Sequence, residues 1–385
     1  MSEKPVVGIV KRQGVLSLPM PIYVSDFDLA FHYAPIHYQD TDNTNYRGEY
    51  ITRFDFDRNW LATDNWEHTK TFPLPAHAYY SVVESCTHWF ILYAFFHPQD
   101  WTDSRFDQEH ENDVEGLLTI VRKNGSSFGA LEGVITVFHT DFYSYTPGHS
   151  ESPLRDGPWV DSGKKDQFGK PIRIRQDIDG TLKRQSYAGS SRFLTVQEAK
   201  GHGLKAFPYA SDFQGKSNQD GIIYFPSRTK AEVPGSGNDR HVDYKLIGVF
   251  APGGLWDRQL SEDAKLQSQS GPTSTYHRWG TFKGDKGGGC GKGATVTCSE
   301  NAANLPWGWD DHDDGRVYRG ELALDPAHVV SQYFSGLGNF SRQFLRNPYL
   351  SSLKNSGYHQ NKTPRGWPRQ LNLHTLFSTL TPNCR

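Results

Sequence analysis

Residues 76–96 read AHAYYSVVESCTHWFILYAFF, and this stretch decides the fold. It holds two runs rich in Tyr, Val, Trp and Phe, Ala76 to Val83 and Thr87 to Phe96, which are typical of β-strands. Two similar runs follow, Val114 to Val121 and Leu131 to Phe138, with a turn-like Lys-Asn-Gly-Ser-Ser sequence between them. No amphipathic helix of about 10–15 residues separates these runs, so we do not expect a parallel sheet with crossover helices.

The composition favours the same class of fold. Aromatic residues make up 14% of the chain and hydrophobic residues only 36%, so much of the core must be built from rings. Together with 37 Gly and 22 Pro, this composition favours many short strands joined by tight turns. No repeat of about 20–50 residues indicates a propeller or a solenoid. We therefore expect a mainly β protein, an antiparallel β-sandwich with long loop insertions and a short C-terminal helix.

We expect one elaborated sandwich domain over residues 1–385, although a second small domain after residue 255 is an alternative. Near the C-terminus, Asp325 can cap a helix whose first turn accepts Pro326. The predicted parts are core strands over about 31–145 and 193–250, polar insertions over about 146–191 and 260–301, and the helix with its tail over 325–385.

The net charge and the hydropathy of the chain limit the classes of binding partner that we expect. The net charge of −2 gives no reason to expect nucleic acid. No stretch reaches the roughly 18 apolar residues of a membrane-spanning helix, while peripheral contact with a membrane stays open. No signal peptide pattern follows Met1, so we expect an extracellular protein if the chain is a mature form and a cytoplasmic one otherwise. The oligomeric state stays open.

Four cysteines are too few for a disulfide framework in a chain of this length. Cys86 lies in an apolar, strand-like run, and we expect it to be a buried thiol. Cys290 and Cys298 flank a glycine-rich loop and would form a local disulfide in an oxidising compartment.

The segment 107–115, DQEHENDVE, carries the chemistry. If Asp113 and Glu115 already lie on the strand that follows, their carboxylates share one face and Val114 points to the other. His110, in the approaching loop, can fold back toward that face. One imidazole and two carboxylates suit Mg²⁺, Ca²⁺, Mn²⁺ or Zn²⁺ without distinguishing among them. The alternative is a solvated acidic loop before a strand.

A family resemblance supports the metal site. Residues 89–100, WFILYAFFHPQD, followed by His110-x-x-Asp113-x-Glu115 and by His139, resemble the necrosis-inducing (NPP1-like) cytolysins. Those proteins carry an aromatic strand ending in Pro-x-Asp and then Gly-His-Arg-His-Asp-Trp-Glu. Proteins with a Vps62-like domain share a similar His-x-x-Asp-Trp-Glu core, and residues 201–204, GHGL, resemble their later Gly-Ser-His-Ala turn.

The resemblance implies a ligand set of Asp100, His110, Asp113 and Glu115, with His139 nearby. In the cytolysins the matched residues hold a divalent cation in a crevice of a β-sandwich, and the cation helps to engage a sphingolipid glycan head group. The chain departs from the pattern at Val114, where both families have Trp, and at residues 111–112, where the cytolysins have Arg-His. The resemblance covers residues 88–140 and, more loosely, 193–205.

Two other segments are weaker candidates. The second acidic segment, at Asp310, Asp311, His312 and Asp313, could supply another metal site or complete the first, but acidic turns are usually only solvated. The glycine run 287–289 does not match a phosphate-binding loop, because the first Gly and the Ser or Thr after Lys are missing.

Three functions compete at this stage. The first is a binding protein or toxin whose cation engages a glycan or phospholipid head group. Exposed tryptophans would then stack on sugar rings or lie at a membrane interface, the alternative for each being the aromatic core: Trp60, Trp66, Trp307 and Trp309. The second is a metal-assisted hydrolase or lyase acting on a small-molecule substrate, with His139 or His202 as the general base. The third is a non-catalytic structural domain in which the acidic segment only caps a strand.

Overall fold

The structure is a computed structural model. It describes residues 24–42, 44–103, 108–139, 141–147, 160–165, 171–174, 178–207, 213, 220–262, 276–284, 286, 302–311, 317–334, 340–355, 372–381 and 384. None of the helices over these ranges has the length and apolar composition that crossing a membrane requires.

One large sheet dominates the described part of the chain. Its strands are β1 (Ile36–Gln39), β2 (His77–Ser85), β3 (His88–Asp103), β4 (Gln108–Arg122), β5 (Ala130–Phe138), β6 (Asp141–Thr146), β9 (Ile178–Thr181), β10 (Arg184–Tyr187), β11 (Ser190–Gln197), β12 (Leu204–Ala206), β13 (Ile222–Pro226), β14 (Val242–Gly248) and β18 (Phe344–Arg346). Their order in the sheet is β10-β11-β1-β13-β14-β2-β3-β4-β5-β6-β9, with β12 paired to β11 and β18 paired to β2.

Smaller elements complete the fold. The remaining strands are β7 (Val160–Lys165) with β8 (Pro171–Ile174), and β15 (Tyr276–Arg278), β16 (Thr281–Lys283) and β17 (Ala302–Asn304). The helices are α1 (Asp26–Tyr33), α2 (Asn65–His68), α3 (Leu255–Glu262), α4 (Glu321–Leu324), α5 (Pro326–Tyr333), α6 (Pro348–Asn355) and α7 (Leu373–Ser378), with a 3₁₀ turn at Pro306–Gly308.

The prediction of a mainly β fold is confirmed. Consecutive strands from β2 to β6 pair antiparallel, as strands joined by tight turns do. The described sheet is mixed, however, because β1–β11, β13–β14, β14–β2 and β6–β9 pair parallel. β12 also packs against β4 and β5, so the sheet curls until its two halves nearly close. This curl brings the β11–β12 connection over the far end of the β3–β4 hairpin.

The four strand runs read from the sequence correspond to β2, β3, β4 and β5. Strand β4 begins at Gln108, so His110 lies on the strand and pairs with Asp100 instead of occupying a loop. The long β3–β4 hairpin explains this difference, because its pairing continues beyond the apolar run into the acidic segment.

The helix predicted after Asp325 is α5, which has the predicted cap and is followed by the further helices α6 and α7. The side chain of Asp325 accepts a hydrogen bond from the backbone N–H of His328, and Pro326 occupies the first position of α5. The predicted division into core strands and insertions stays a prediction. The Gly run 287–289 and the pair Cys290 and Cys298 lie outside the described residues.

The prediction of a buried Cys86 thiol is wrong. Cys86 is half-buried and forms a disulfide with Cys384, 298 residues away. The apolar run in which Cys86 lies suggested a buried thiol, but the residue falls in the turn between β2 and β3. There its backbone N–H donates to the carbonyl of Gln343, which brings the C-terminal part of the chain to this turn.

Aromatic rings fill the core, as the composition predicts. Trp256 packs edge-on against Trp279, Trp307 and Tyr349, with ring centroids 4.9–5.6 Å apart. Trp307 and Trp309 are buried core residues and so do not stack on a sugar, as the core alternative for them predicts. Trp60 and Trp66 are only partly buried.

Candidate metal centre

The centre of the site lies near the tip of the β3–β4 hairpin. Asp100 on β3 stands opposite His110 on β4, and the Asp100 Oδ2 to His110 Nε2 distance is 3.4 Å. Both side chains are buried. Asp100 Oδ1 accepts a hydrogen bond of 2.6 Å from the backbone N–H of Thr102, which fixes the orientation of the carboxylate.

Asp113 and Glu115 extend the cluster along β4. Both carboxylates lie on one side of the strand, while Val114 between them is buried on the other and its carbonyl accepts from Trp309 Nε1 at 3.1 Å. The charge of Asp113 acts on both the Asp100 and the Glu115 carboxyls. The four predicted ligands therefore lie at the same end of the β3–β4 hairpin.

Two histidines bridge these carboxylates to further acidic residues. His202, in the β11–β12 connection, lies 2.9 Å through Nδ1 from Asp113 Oδ2 and 3.0 Å through Nε2 from Glu49 Oε2. His139, after β5, donates its backbone N–H to Glu115 Oε1 at 3.0 Å, and its Nε2 lies 2.8 Å from Glu198 Oε1. The candidate site thus contains two carboxylate–histidine–carboxylate bridges.

The histidines differ in access to solvent. His202 is fully buried and both its ring nitrogens face carboxylates, so it offers no nitrogen to a substrate. The His139 side chain is 36% exposed and the Glu198 side chain 38%, which puts this pair at the rim. Of the two predicted general bases, His139 is the one that a ligand can reach.

The backbone is strained at both bridges. His139 and His202 each have φ of 56°, and Lys200 has φ of 73°. Such left-handed residues cost about 1–3 kcal/mol each and gather at functional sites. Hydrogen bonds hold them: Lys200 N–H donates to Glu49 Oε2 at 3.0 Å, and Trp101 N–H donates to the Lys200 carbonyl at 3.2 Å.

Burial and the charges of neighbouring groups set the pKa values of the residues in the site. Burial raises the pKa of Glu115 well above its usual range, and the Asp113 charge adds to the effect. Burial also raises the pKa of Asp100 to about 6, against the opposing charge of His110. Burial acts on Asp113 in the same sense, but the hydrogen bond from His202, together with the charges of His202, His110 and His139, outweighs it and lowers the Asp113 pKa. The pKa of His202 rises to about 10, because Asp113 and Glu49 outweigh its burial.

The donor set fits a hard divalent cation in its chemistry. It offers three carboxylates and one imidazole, which is the mixture that Mg²⁺, Ca²⁺, Mn²⁺ and Zn²⁺ accept. Glu115 Oε2 is buried and has no hydrogen-bond partner, as an oxygen reserved for a cation would be. Residues Asp100, His110, Asp113 and Glu115 would hold the ion, although their ligand atoms are not drawn together within 4.8 Å of one another.

Two other clusters in the described part of the chain are tighter. Asp57, Asp64 and His68 bring one ligand atom each within 4.8 Å of the others, as do Glu321, Asp325 and His328. The second cluster has a structural role, because Asp325 caps α5 and forms an ion pair of 2.6 Å with Arg342. In the first, Asp57 Oδ2 lies 2.6 Å from His68 Nδ1.

The second acidic segment is only partly described. His312 and Asp313 lie outside the described residues, Asp311 is buried and Asp310 is half-buried. Its role as a metal site stays a prediction. The sequence reading missed Glu49 and Glu198, which lie 153 and 59 residues from the histidines that they contact. No local motif marks either residue.

Comparison with known proteins gives a loose likeness. No protein-family model matches the chain, and no curated protein matches it. The non-toxic HaNLP3 protein matches over 63% of this chain and 83% of its own, with 13% identity and a TM-score of 0.27. NLPPya in complex with glucosamine matches over 52% and 73%, with 13% identity and a TM-score of 0.26.

A third solved structure is Necrosis and Ethylene inducing Protein 2 from the causal agent of cocoa's Witches Broom disease. It matches over 50% of this chain and 71% of its own, with 14% identity and a TM-score of 0.23. The resemblance to necrosis-inducing proteins is thereby confirmed as a loose one over part of the chain. Because each TM-score is below 0.5, the likeness says nothing of the ligands of the site.

Proposed function

We propose that this chain binds a divalent cation with Asp100, His110, Asp113 and Glu115 and uses the site to engage a glycan head group. The observation that supports the proposal most is the burial of Asp100 and Glu115 beside Asp113, whose side chain is only 13% exposed, with Glu115 Oε2 left without a hydrogen-bond partner. Burying like charges is costly unless a cation offsets them.

The surroundings support a binding role. The exposed side of the cluster carries hydrogen-bonding groups, His139 and Glu198, that suit sugar hydroxyls. When bound, the cation would supply coordination to a hydroxyl or another oxygen of the head group. The protein's own residues orient that group: His139 and Glu198 contact it at the rim, while His202 and Glu49 hold Asp113 in place from within.

The test measures metal and glycan binding together. Mn²⁺, Ca²⁺, Mg²⁺ and Zn²⁺ are titrated calorimetrically, and glucosamine, mannosamine and glycolipid vesicles are then titrated with and without chelator. The amino sugars are chosen because two of the similar structures hold them. Glu115→Gln and Asp113→Asn should lower metal affinity about 10–100-fold and abolish glycan binding, because each removes a charge that offsets dehydration of the ion.

Glu232→Gln is the matched control. Its side chain is 41% exposed and lies beside Lys230, outside the candidate site, so it changes the net charge equally and should leave both affinities unchanged. Full metal affinity in both site variants would overturn the proposal.

A metal-assisted hydrolase is the second candidate, and the exposed His139–Glu198 pair favours it. A general base at His139 would make His139→Ala lower kcat by about 10²–10⁴-fold while metal stays bound. His202→Ala would instead release Asp113 and weaken metal binding. Turnover and metal content measured together on ester, phospholipid and glycan panels distinguish the two functions, because a binding protein has no turnover to lose.

A further inference from the structure

The arrangement of His110 and Asp113 departs from regular strand geometry. Residues three apart on a β-strand point to opposite faces. Successive residues also point to opposite faces, yet Glu111 and Asn112 both contact α2: Glu111 Oε1 accepts from the Trp66 N–H at 2.8 Å and Asn112 Oδ1 accepts from Asn65 Nδ2 at 2.6 Å. The residues that flank this pair, His110 and Asp113, therefore share the other side of the strand, and the charge of His110 acts on Asp113.

The pairing between the two strands locates the reversal. His97 pairs with Asp113, Gln99 with Glu111 and Asp100 with His110, so no residue is inserted at this level of the hairpin. Asn112, between the paired levels, has φ of 65°, in the left-handed region. A left-handed residue reverses the alternation of faces between the residues before it and those after it, without changing the register. Here the reversal puts His110, before Asn112, on the same side as Asp113 and Glu115, after it.

Neighbouring residues hold Asn112 in this conformation. Its Nδ2 donates to the carbonyl of Ala62 at 2.8 Å, and its Oδ1 accepts from Asn65 Nδ2 at 2.6 Å. Asn112 and Asn65 are both buried. Next to it, Glu111 is held by the Trp66 N–H on the same side of the strand, which faces away from His110. Asn tolerates positive φ better than most residues, although the conformation still costs about 1–2 kcal/mol.

We propose that Asn112, clamped by Asn65 and the Ala62 carbonyl, is the positioning residue that reverses β4 and turns His110 into the cation site. The inference rests on the proposed function for the identity of the ligand and deepens it by naming what assembles the site. Asn112 does not contact the ion. It acts through the direction of His110.

Two substitutions at Asn112 separate its backbone from its side chain. Asn112→Gly keeps the left-handed conformation accessible without the amide, while Asn112→Val opposes it, because a β-branched residue is a genuine outlier at positive φ. The probe is Mn²⁺ alone, with affinity from calorimetry and imidazole-nitrogen coupling from pulsed electron paramagnetic resonance. The glycine variant should keep the coupling and nearly the wild-type affinity. The valine variant should lose the coupling and about 10–100-fold in affinity.

Two controls define the signal. His110→Ala identifies the nitrogen coupling that His110 contributes. Ala188→Val places the same strain at another left-handed residue, φ 49°, in the exposed turn between β10 and β11, and should leave affinity unchanged. If the valine variant does not fold, Asn65→Ala replaces it: the loss of the clamp should weaken Mn²⁺ binding, and adding Asn112→Gly should restore it.

A metal-free measurement separates this inference from the proposed function. His110→Ala and Asp113→Asn are made singly and together, and the shifts in unfolding temperature are compared. In wild type and in the glycine variant, where the two side chains are neighbours, the shifts should not add. In the valine or Asn65→Ala variant, where they are separated, the shifts should add. Absence of Mn²⁺ binding in wild type would sink the proposed function alone. Additive shifts in wild type, retained nitrogen coupling in the valine variant, or failure of the glycine rescue would overturn the positioning role.

Discussion

Asp100 is one of the residues through which pH acts on the site. Its pKa is raised to about 6, chiefly by burial, so its carboxyl holds a proton at pH 5 that it has lost at pH 7. A cation needs the carboxylate, and metal binding is therefore linked to release of this proton.

We predict that Mn²⁺ affinity falls about tenfold or more between pH 7 and pH 5. The metal-free protein should show the opposite trend from this group. A raised carboxyl pKa means that the folded state binds more protons than the unfolded state between pH 4 and 6, so stability falls as pH rises through this window. Calorimetry and thermal melts at pH 5, 6 and 7 test both signs. Equal or tighter Mn²⁺ binding at pH 5 would contradict the prediction.

At the scale of single residues, the sequence indicates the proposed metal ligands but not the residues that position them. Spacing and resemblance indicate Asp100, His110, Asp113 and Glu115, because these lie within one hairpin. Glu49 could not be found this way, since only the closing of the curled sheet brings it to His202. Asn112 is visible in the sequence, but its left-handed conformation comes from contacts with residues 62–65.

At the scale of elements, β4 is the strand that joins the site to the core. Gly116 follows Glu115 directly, and a Cβ there would lie 2.1 Å from the Tyr93 carbonyl oxygen and 2.5 Å from Trp309 Cη2. The close approach of these groups therefore depends on glycine. It also shows why Trp309 is buried behind the acidic segment instead of lying exposed beside it.

Gly116→Ala should lower the free energy of unfolding by about 1–3 kcal/mol, because the added methyl forces β4 away from its neighbours. Gly248→Ala on β14 is the matched control: a Cβ there would meet nothing closer than 3.8 Å. Urea denaturation of both variants measures the difference. Equal stability of the two would show that the packing of β4 against Trp309 is looser than described.

Alternation of polar and apolar residues predicts a strand correctly where the backbone is extended, and wrongly where a turn buries alternate side chains. Residues 52–57 alternate polar and apolar residues, which predicts a strand, yet they form a turn with a single bridge from Thr52 to Phe96. Phe54 and Phe56 are both buried in that turn, and Arg53 pairs with Asp55 at 2.5 Å. A turn that buries alternate residues has the same sequence pattern as a strand.

At the scale of the whole molecule, the order of the strands depends on long-range pairings that the sequence does not reveal. Strand β14 pairs parallel with β2, and β1 pairs parallel with β11, between segments far apart in the chain. Alternation within a strand carries no information about such partners. The disulfide between Cys86 and Cys384 is a constraint of the same kind, with a sequence separation of 298.

Breaking this disulfide should cost about 2–4 kcal/mol, because the link restricts the unfolded chain over nearly its whole length. In thermal melts without reductant, the Cys86→Ser/Cys384→Ser variant should show a lower midpoint than wild type, and reductant should lower the midpoint of wild type at least as far. Unchanged stability of wild type under reduction, with the bond shown to be broken, would contradict the prediction.

The most direct test of the central claim is anomalous diffraction from crystals soaked in Mn²⁺. The claim is that Asp100, His110, Asp113 and Glu115 hold one divalent cation. An anomalous peak in contact with the carboxylates of Asp113 and Glu115 is the predicted result. No peak there, or a peak confined to Asp57, Asp64 and His68 or to Glu321, Asp325 and His328, would contradict it.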